Sequence, residues 1–425
     1  MAIGTTTQCD ESRFAKIKPA PSGGAFALAG KYQRDTDPHK VDLLIGAYRD
    51  DAGKPWQLPS VIEAKRRINL ESQSHEYLPL QGNPEFLDVS RQLVFGPKIL
   101  KQEASTIASI QTVSGTGANS LIAQFLHRHS TPRNIWLPNP TWANHHDIWQ
   151  TNAPGIHVQY YPYYDATNKA FDFAGLMREL ETKTQERDAI LLHACAHNPT
   201  GLDPTPDEWR QIVLLCKAKK LFVIFDLAYQ GFASGDLDLD AWAIRHFFSH
   251  RDIEMAVCQS FSKNLGLYGE RTGALHLVVS RNSPSRSAAV LQDHLTNIHR
   301  ATVSMAPRFG SEVATAILTT NYLRQMWTDD LMIMSGRIKV MRQALYDELL
   351  GLGTPGSWEH IIDQTGMFSY LGLSSDQVDV LGKEDHVYML PCGRVSICGL
   401  TTANVKYVAQ AIDKVVRNSV AGSFR

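Results

Sequence analysis

The chain has 425 residues, 43% hydrophobic and 20% charged, which is enough material for a large globular core and a second, smaller domain. Lys and Arg number 42 against 43 Asp and Glu, a formal net charge of −1, so bulk attraction to nucleic acid or to an anionic membrane is excluded and small molecules are the expected partners. Cys9, Cys195, Cys216, Cys258, Cys392 and Cys398 lie far apart without a CxxC pair, as reduced core thiols of an intracellular protein would, and no HExxH or other metal-ligand spacing occurs.

The N-terminus lacks a basic segment followed by an apolar one, no apolar run approaches membrane-spanning length, and Ser423-Phe424-Arg425 is not a clear peroxisomal signal. A cytoplasmic location is the expectation. Residues 1–20 are polar and read as a loose arm. Phe26, Leu28 and Tyr32 suggest a short helix ended by Asp37-Pro38, and residues 41–45 a strand that runs into Gly46-Ala47-Tyr48-Arg49. At Gly46 the missing Cβ permits close approach of another group to the backbone. In His75-Glu76-Tyr77-Leu78-Pro79, Tyr77 reads as a ring packed beside the proline with its hydroxyl in water. Residues 109–113 read as a buried strand, turned by Ser114-Gly115-Thr116-Gly117-Ala118 into a helix over 119–127. Free backbone N–H groups and the helix dipole make such a turn an anion site. It half-matches a dinucleotide fingerprint, but Ser120 stands in place of the third glycine and a nicotinamide cofactor leaves Lys263 unexplained.

Residues 134–137 form another short strand, followed by Pro138-Asn139-Pro140-Thr141-Trp142, whose indole can stack on a flat heteroaromatic ring or pack in the core. His145 and His146 read as hydrogen-bonded structural residues. An apolar strand over 189–195 ends in the polar turn His197-Asn198-Pro199-Thr200-Gly201, and Thr205-Pro206-Asp207-Glu208 reads as a capping box opening a helix to Lys220. Residues 221–226 are apolar except for the closing Asp226, a carboxylate whose burial demands a cationic or hydrogen-bonding partner. After the apolar run 255–258 comes Gln259-Ser260-Phe261-Ser262-Lys263, with Arg271 eight residues on. A lysine at a strand end, with Ser260 and Arg271 free to grip an anion, suits a carbonyl cofactor that carries a phosphate. Pyridoxal 5'-phosphate meets that description, and its protonated pyridine nitrogen would answer the need of Asp226. Strands alternating with helices from 109 to 280 predict a parallel, doubly wound sheet with ligands at the strand ends. A helical stretch over 310–350 carries Ile338, Met341, Leu345 and Leu349 at helical spacing. Near the C-terminus, Arg394 on a short strand can fork both oxygens of a carboxylate.

The lysine segment, the run from Ala189 to Gly201 and the stretch 46–49 resemble the aspartate aminotransferase family, and the likeness extends from about residue 21 to the end. The resemblance implies an α/β fold-type-I pyridoxal-phosphate enzyme with a large domain built on a mostly parallel, seven-stranded sheet and a smaller α/β domain formed by both chain ends. Expected boundaries are an arm at 1–20, small-domain residues 21–50, the large domain 51–325 and the rest of the small domain 326–425. It further implies that Lys263 holds the cofactor and moves the proton, that Asp226, Tyr229 and Asn198 tune the ring, and that Trp142 stacks on it. Ser114, Gly115, Thr116, Ser260, Arg271 and the partner's Tyr77 would hold the phosphate. Gly46 and Phe368 would line the substrate, while Arg394 and the partner's Arg300 take its two carboxylates. The implied activity is amino transfer between L-aspartate and 2-oxoglutarate in a homodimer with shared active sites.

Three stretches depart from the family pattern. Leu44 stands where glycine is usual, Gly23-Gly24 where bulkier apolar residues are, and Val303 and Met305 where an aromatic residue and an asparagine adjoin the arginine. The cofactor residues are complete, but the substrate pocket is altered. The alternative reading is therefore a related aminotransferase with a different amino-acid or oxo-acid substrate in specialised metabolism. A catalytically idle relative that only binds the cofactor is the third.

Overall fold

The strands that position the site are, in chain order, β1 (Val41–Asp42), β2 (Ile107–Val113), β3 (Asn134–Asn139), β4 (His157–Pro162), β5 (Ala189–His193), β6 (Phe222–Leu227), β7 (Met255–Ser260), β8 (Thr272–Val278), β9 (Phe368–Tyr370), β10 (Val387–Tyr388) and β11 (Arg394–Ser396). The computed structural model describes residues 12–18, 25–70, 74–280 and 288–420. Gly23, Gly24 and much of the expected arm lie outside these residues. β2 to β8 form one seven-stranded sheet in the order β2-β8-β7-β6-β5-β3-β4, in which β8 is antiparallel to both neighbours and every other pairing is parallel. The mostly parallel sheet is thus as expected.

Side chains alternate between the two faces. Ile190, Leu192, Val223, Phe225, Met255 and Val257 bury in one apolar cluster, while Ala189, Leu191, Ile224, Ala256 and Cys258 bury in another. A sheet covered on both sides needs an apolar residue at almost every position, which is why these segments read as unbroken apolar runs. β8 gives a weaker signal. It opens on Thr272-Gly273 and carries His276 in its middle, a fully buried ring held by Ser109 Oγ at 2.8 Å and Gln259 Oε1 at 3.1 Å.

The helices used below are α1 (Ala25–Arg34), α2 (Ser114–His129), α3 (Pro206–Ala218), α4 (Ala288–Val303), α5 (Arg308–Thr319) and α6 (Asn321–Gly351). The capping box of α3 is present, with Thr205 N donating to Glu208 Oε2 at 2.7 Å and Glu208 N to Thr205 Oγ1 at 3.3 Å. Three expectations are corrected. The helix expected from 119 starts at Ser114, because Ser114 itself turns the chain (φ 62°) while its N–H bonds Arg271 O at 2.9 Å. The strand expected over 41–45 stops at Asp42, whose Oδ1 accepts from Leu44 N at 3.0 Å and bends the chain toward the site. The helical stretch 310–350 is two helices, broken at Thr320 in an extended conformation (φ −100°, ψ 114°). Residues such as threonine and asparagine favour helix ends over interiors, and Thr319-Thr320-Asn321 supplies them.

Both chain ends meet beside the sheet. β1 pairs in parallel with β10, Ser396 N donates to Leu43 O at 2.8 Å, and β9 pairs antiparallel with β11 so that Tyr370 lies opposite Arg394. Cys195, Cys216, Cys258 and Cys398 are buried free thiols as expected, but Cys392 is exposed at the turn before β11.

Asp188, only 1% exposed, pins the start of the sheet. Its carboxylate accepts from Asn134 N at 3.1 Å, Asn134 Nδ2 at 3.0 Å, Trp136 Nε1 at 2.9 Å and Gln185 N at 3.0 Å. Asp188→Ala should strand these buried donors and cost roughly 3 to 5 kcal/mol. The check is the midpoint of chemical unfolding; an unchanged midpoint would show that the network carries little of the stability.

Candidate active site

The carboxyl ends of β5, β6 and β7 open into a cavity of about 300 Å³. In one part of it, Ser114 Oγ lies 2.9 Å from Ser262 Oγ and 3.3 Å from Ser260 Oγ. Arg271 Nη1 reaches Ser262 Oγ at 3.4 Å and Tyr268 O at 3.0 Å. These groups surround the first turn of α2, where the N–H groups of Gly115 and Thr116 belong to the unpaired start of a helix. A Cβ on Gly115 would lie 3.1 Å from Ser260 Cβ, so the helix start and the strand end approach as closely as glycine allows.

A second part is organised by Asp226, at the end of β6. Its Oδ2 is 2.9 Å from His145 Nε2, His145 Nδ1 is 2.8 Å from Thr141 Oγ1, Thr141 Oγ1 is 3.3 Å from His193 Nε2, and Asn198 N donates to His193 Nδ1 at 3.3 Å. The backbone N–H can only donate, so His193 Nδ1 accepts and Nε2 carries the proton toward Thr141. Thr141 Oγ1 thus accepts from His193, and His145 donates to Asp226 from Nε2. Burial works to raise the Asp226 carboxyl, but the hydrogen bond and charge of His145, helped by His193 and Lys263, hold it below the usual carboxylate range. Burial, reinforced by His145, pushes His193 down to about 3.

The third part is built by both chain ends. Arg394, 8% exposed, donates from Nη2 to Leu44 O at 2.8 Å and from Nη1 to Asn198 Oδ1 at 3.3 Å, and its guanidinium carbon lies 4.0 Å over the Phe368 ring. Its Nε is buried without a partner. Gly46 makes this stack possible, because a Cβ there would fall 2.5 Å from Phe368 Cζ.

Between these parts stands Lys263, its Nζ 5.3 Å from the centre of the Tyr229 ring. Burial lowers the lysine pKa, against the opposing charge of Asp226. Tyr229 is 4% exposed and burial raises its pKa far above the ordinary value, so the phenol remains a hydrogen-bond donor at neutral pH. Trp142 lines the same space with its indole edge-on to His145, centroids 5.1 Å apart.

The structure therefore brings together Ser114, Gly115, Thr116, Trp142, Asn198, Asp226, Tyr229, Ser260, Lys263 and Arg271 with Gly46, Phe368 and Arg394. It does not bring Tyr77 or Arg300 to this chain's own cavity. Tyr77 is 85% exposed and Arg300 is exposed on the last turn of α4. Ser262, Tyr268 and His193 line the cavity without having been expected there, and His145 supports Asp226 from behind. Ser262 had a signal, since its hydroxyl adjoins Lys263 in a segment already read as anion-binding. The histidines had none, because only the adjacency of β3 and β5 puts Thr141 between them.

Residues 38–412 match the family described as aminotransferase class I and II. An L-tyrosine:2-oxoglutarate aminotransferase of Aspergillus ustus is 48% identical over 397 residues, 92% of this chain and 75% of that protein. The cytoplasmic aspartate aminotransferase of Schizosaccharomyces pombe is 43% identical over 409 residues, 95% of this chain and 98% of the relative. The solved structure of the aspartate aminotransferase from Saccharomyces cerevisiae cytoplasm matches with a TM-score of 0.92 at 42% identity, covering 95% of this chain and 98% of that one.

The depressed His193 pKa has a measurable consequence. An unfolded histidine titrates near 6.5, so between about pH 6.5 and 3 the unfolded chain binds a proton that the folded chain refuses, and acidification through this window costs stability. In labelled-histidine NMR spectra, with the signal assigned by comparison with His193→Gln, the ring should stay neutral from pH 8 down to the acid limit of the fold. A midpoint near 6 would contradict the hydrogen-bond chain.

Proposed function

The chain belongs to the aminotransferase class I and II family, whose members depend on pyridoxal phosphate, and we propose that its reaction runs between L-aspartate and 2-oxoglutarate. Oxaloacetate and L-glutamate are the products, formed in a ping-pong sequence. The observation that carries this reading is the charge of the cavity: among the described residues that line it, Lys263, Arg271 and Arg394 face one carboxylate, Asp226, and the two arginines lie in separate parts of it. Such a space calls for a ligand set with at least two anionic groups. The residues fit a cofactor phosphate at Arg271, where three serine hydroxyls and a helix start converge with no acid, and a substrate carboxylate at Arg394, whose Nε lacks a partner.

When bound, pyridoxal phosphate supplies an aldehyde that condenses with amines and a ring that accepts the electrons left on the substrate Cα. Asp226, kept ionised by His145, would hold the proton of the pyridine nitrogen. The Tyr229 hydroxyl and the Asn198 amide would hold the phenolic oxygen, and Trp142 would cover the ring face. The Lys263 amine, biased toward its neutral form by burial, would take the proton from the substrate Cα and return it. Arg394 would fork the α-carboxylate over the Phe368 ring. The partner's Arg300 would take the distal carboxylate and the partner's Tyr77 the phosphate, in a homodimer whose two-fold interface lends residues in both directions. The exposure of both side chains away from their own cavity supports this sharing. Residues 21–50 with 326–425 would form the small domain and 51–325 the large one, and the cytoplasmic relatives support a cytoplasmic location.

A mixed dimer tests the reading. In a Lys263→Ala and Arg300→Ala hybrid, one site carries both lesions and the other is whole. Random reassembly of equal amounts makes half of the dimers hybrids with one intact site each, so about a quarter of wild-type aspartate turnover should return from two nearly inactive parents. A verified hybrid as inactive as its parents would mean that Arg300 serves its own subunit or no substrate at all.

A second reading has its own support. Val303 (41% exposed) and Met305 give the surroundings of Arg300 an apolar character, and the Aspergillus ustus relative is named for tyrosine. Here the distal pocket would accept larger amino acids. Replacing Val303 by Trp and Met305 by Asn should shift the kcat/KM ratio of aspartate to tyrosine toward aspartate by roughly tenfold. Full aspartate activity in Arg300→Ala would favour this second reading outright.

A further inference from the structure

Gln111 lies in β2, an edge strand of the sheet, and its side chain is fully buried. On the free edge of that strand it fastens two distant segments. Its backbone N–H donates to Gln81 O at 2.8 Å, its Oε1 accepts from Asn83 N at 2.9 Å, and its Nε2 donates to Pro307 O at 2.7 Å. Gly82 (φ 105°) has no Cβ, and one placed there would lie 2.2 Å from Gln111 Cβ, so segment 81–83 rests directly on this side chain. The two segments are clipped again at the surface, where Arg308 donates to Glu76 O at 3.1 Å from Nε and 2.9 Å from Nη2.

One segment carries Tyr77. The other leaves Arg300 through a compact turn, in which Ser304 N bonds Arg300 O at 3.1 Å and Met305 N bonds Val303 O at 2.8 Å, and arrives at Pro307. We infer that Gln111 is a positioning residue for the neighbouring subunit's site, holding the segments that bear Tyr77 and Arg300 in fixed relation to each other and to the strand that runs into Ser114. The inference rests on the shared-site homodimer proposed above. The physical reason is that one buried amide satisfies a donor on the first segment and an acceptor on the second. Deleting it leaves the Asn83 N–H and the Pro307 C=O without this partner in a part-buried place, and removes a side chain that ties both segments to the sheet. A side chain lent across an interface acts at the end of a long lever, so a shift of about 1 Å at its base is enough to cost orders of magnitude in a positioned interaction.

Gln111→Met keeps the length of the side chain and removes both hydrogen bonds. In the homodimer the KM for aspartate should rise about tenfold or more while kcat stays within about twofold, the pattern of lost substrate binding. The dissociation constant of succinate, a dicarboxylate without an amino group, should rise by the same factor in calorimetry. An unchanged succinate constant overturns the inference. The decisive measurement is a tagged hybrid of Gln111→Met with Lys263→Ala subunits. Its working site has the lysine of the first subunit and the lent residues of the second, where Gln111 is intact, so its KM should return to the wild-type value. A KM that stays raised shows that Gln111 acts within its own subunit, through Ser114, and the inference falls. The Arg300→Ala and Lys263→Ala hybrid runs alongside: its failure to recover would count against the shared site itself, whereas recovery there with a raised KM in the Gln111 hybrid counts against Gln111 alone. If Gln111→Met gives no soluble dimer, Gln111→Glu goes through the same hybrid. It keeps the bond to Asn83 and sets an oxygen against Pro307 O, so the same KM rise in its homodimer and recovery in its hybrid are expected, and absence of either overturns the inference.

Discussion

The cavity gathers more positive charge than the protein can balance. Among the described residues, Lys263, Arg271 and Arg394 face one carboxylate in about 300 Å³, and burial lowers the pKa of both Lys263 and Arg394. Uncompensated buried charge is expensive, and it persists only where a partner arrives to complete the balance. In the reading proposed above, the partners are a phosphate and a carboxylate. The unpaired Nε of Arg394 follows the same logic, as a donor whose acceptor, in that reading, would belong to the substrate. A protein built this way is most stable when loaded, because anything bound by the folded state alone adds to its stability by mass action.

The parallel sheet makes the gathering possible. β5, β6 and β7 run the same way and end in register, so that His193 is paired with Asp226 across one ladder, and Ser260 closes the next strand. Neighbouring strands lie about 4.8 Å apart, which brings side chains dozens of residues distant in sequence within one ligand's length. The apolar faces of these strands fix their register, and the register fixes the site.

Much of this was legible beforehand, and what was not has physical causes. Unbroken apolar runs ending in Asp226 and Ser260 announce strands covered on both faces with chemistry at their ends. The thirteen-residue run from Ala189 to Gly201 and the lysine segment carry enough specific residues to name a family. By contrast, the chain from Asp226 through His145 and Thr141 to His193 depends on which strands become neighbours, and no local pattern encodes that. Ser114 in a left-handed conformation runs against the preference of any residue with a Cβ, so the start of α2 could not be read from propensity. β8 pairs antiparallel and carries a buried histidine whose partners are on β2 and β7, again a fact of topology.

The end of the cavity around Arg394 is assembled differently from the end around Arg271. Its parts come from both termini, and Arg342, 2% exposed, holds them in place by donating to Ile361 O at 3.0 Å, Thr365 O at 3.2 Å, Gly366 O at 2.9 Å and also to Phe368 O. A buried arginine spent on carbonyls fixes the backbone under the Phe368 ring, and that ring carries Arg394. This construction explains which departures from the family pattern the fold tolerates. At position 44 the bond to Arg394 is made by the backbone carbonyl, so the change from glycine to leucine leaves the contact intact and only alters what lines the wall. At position 46 the constraint is on the side chain itself, because any Cβ would strike Phe368 at 2.5 Å, and there glycine is kept. Position 44 can carry a side chain because the structure uses its backbone atom, and position 46 cannot because the structure uses its empty space.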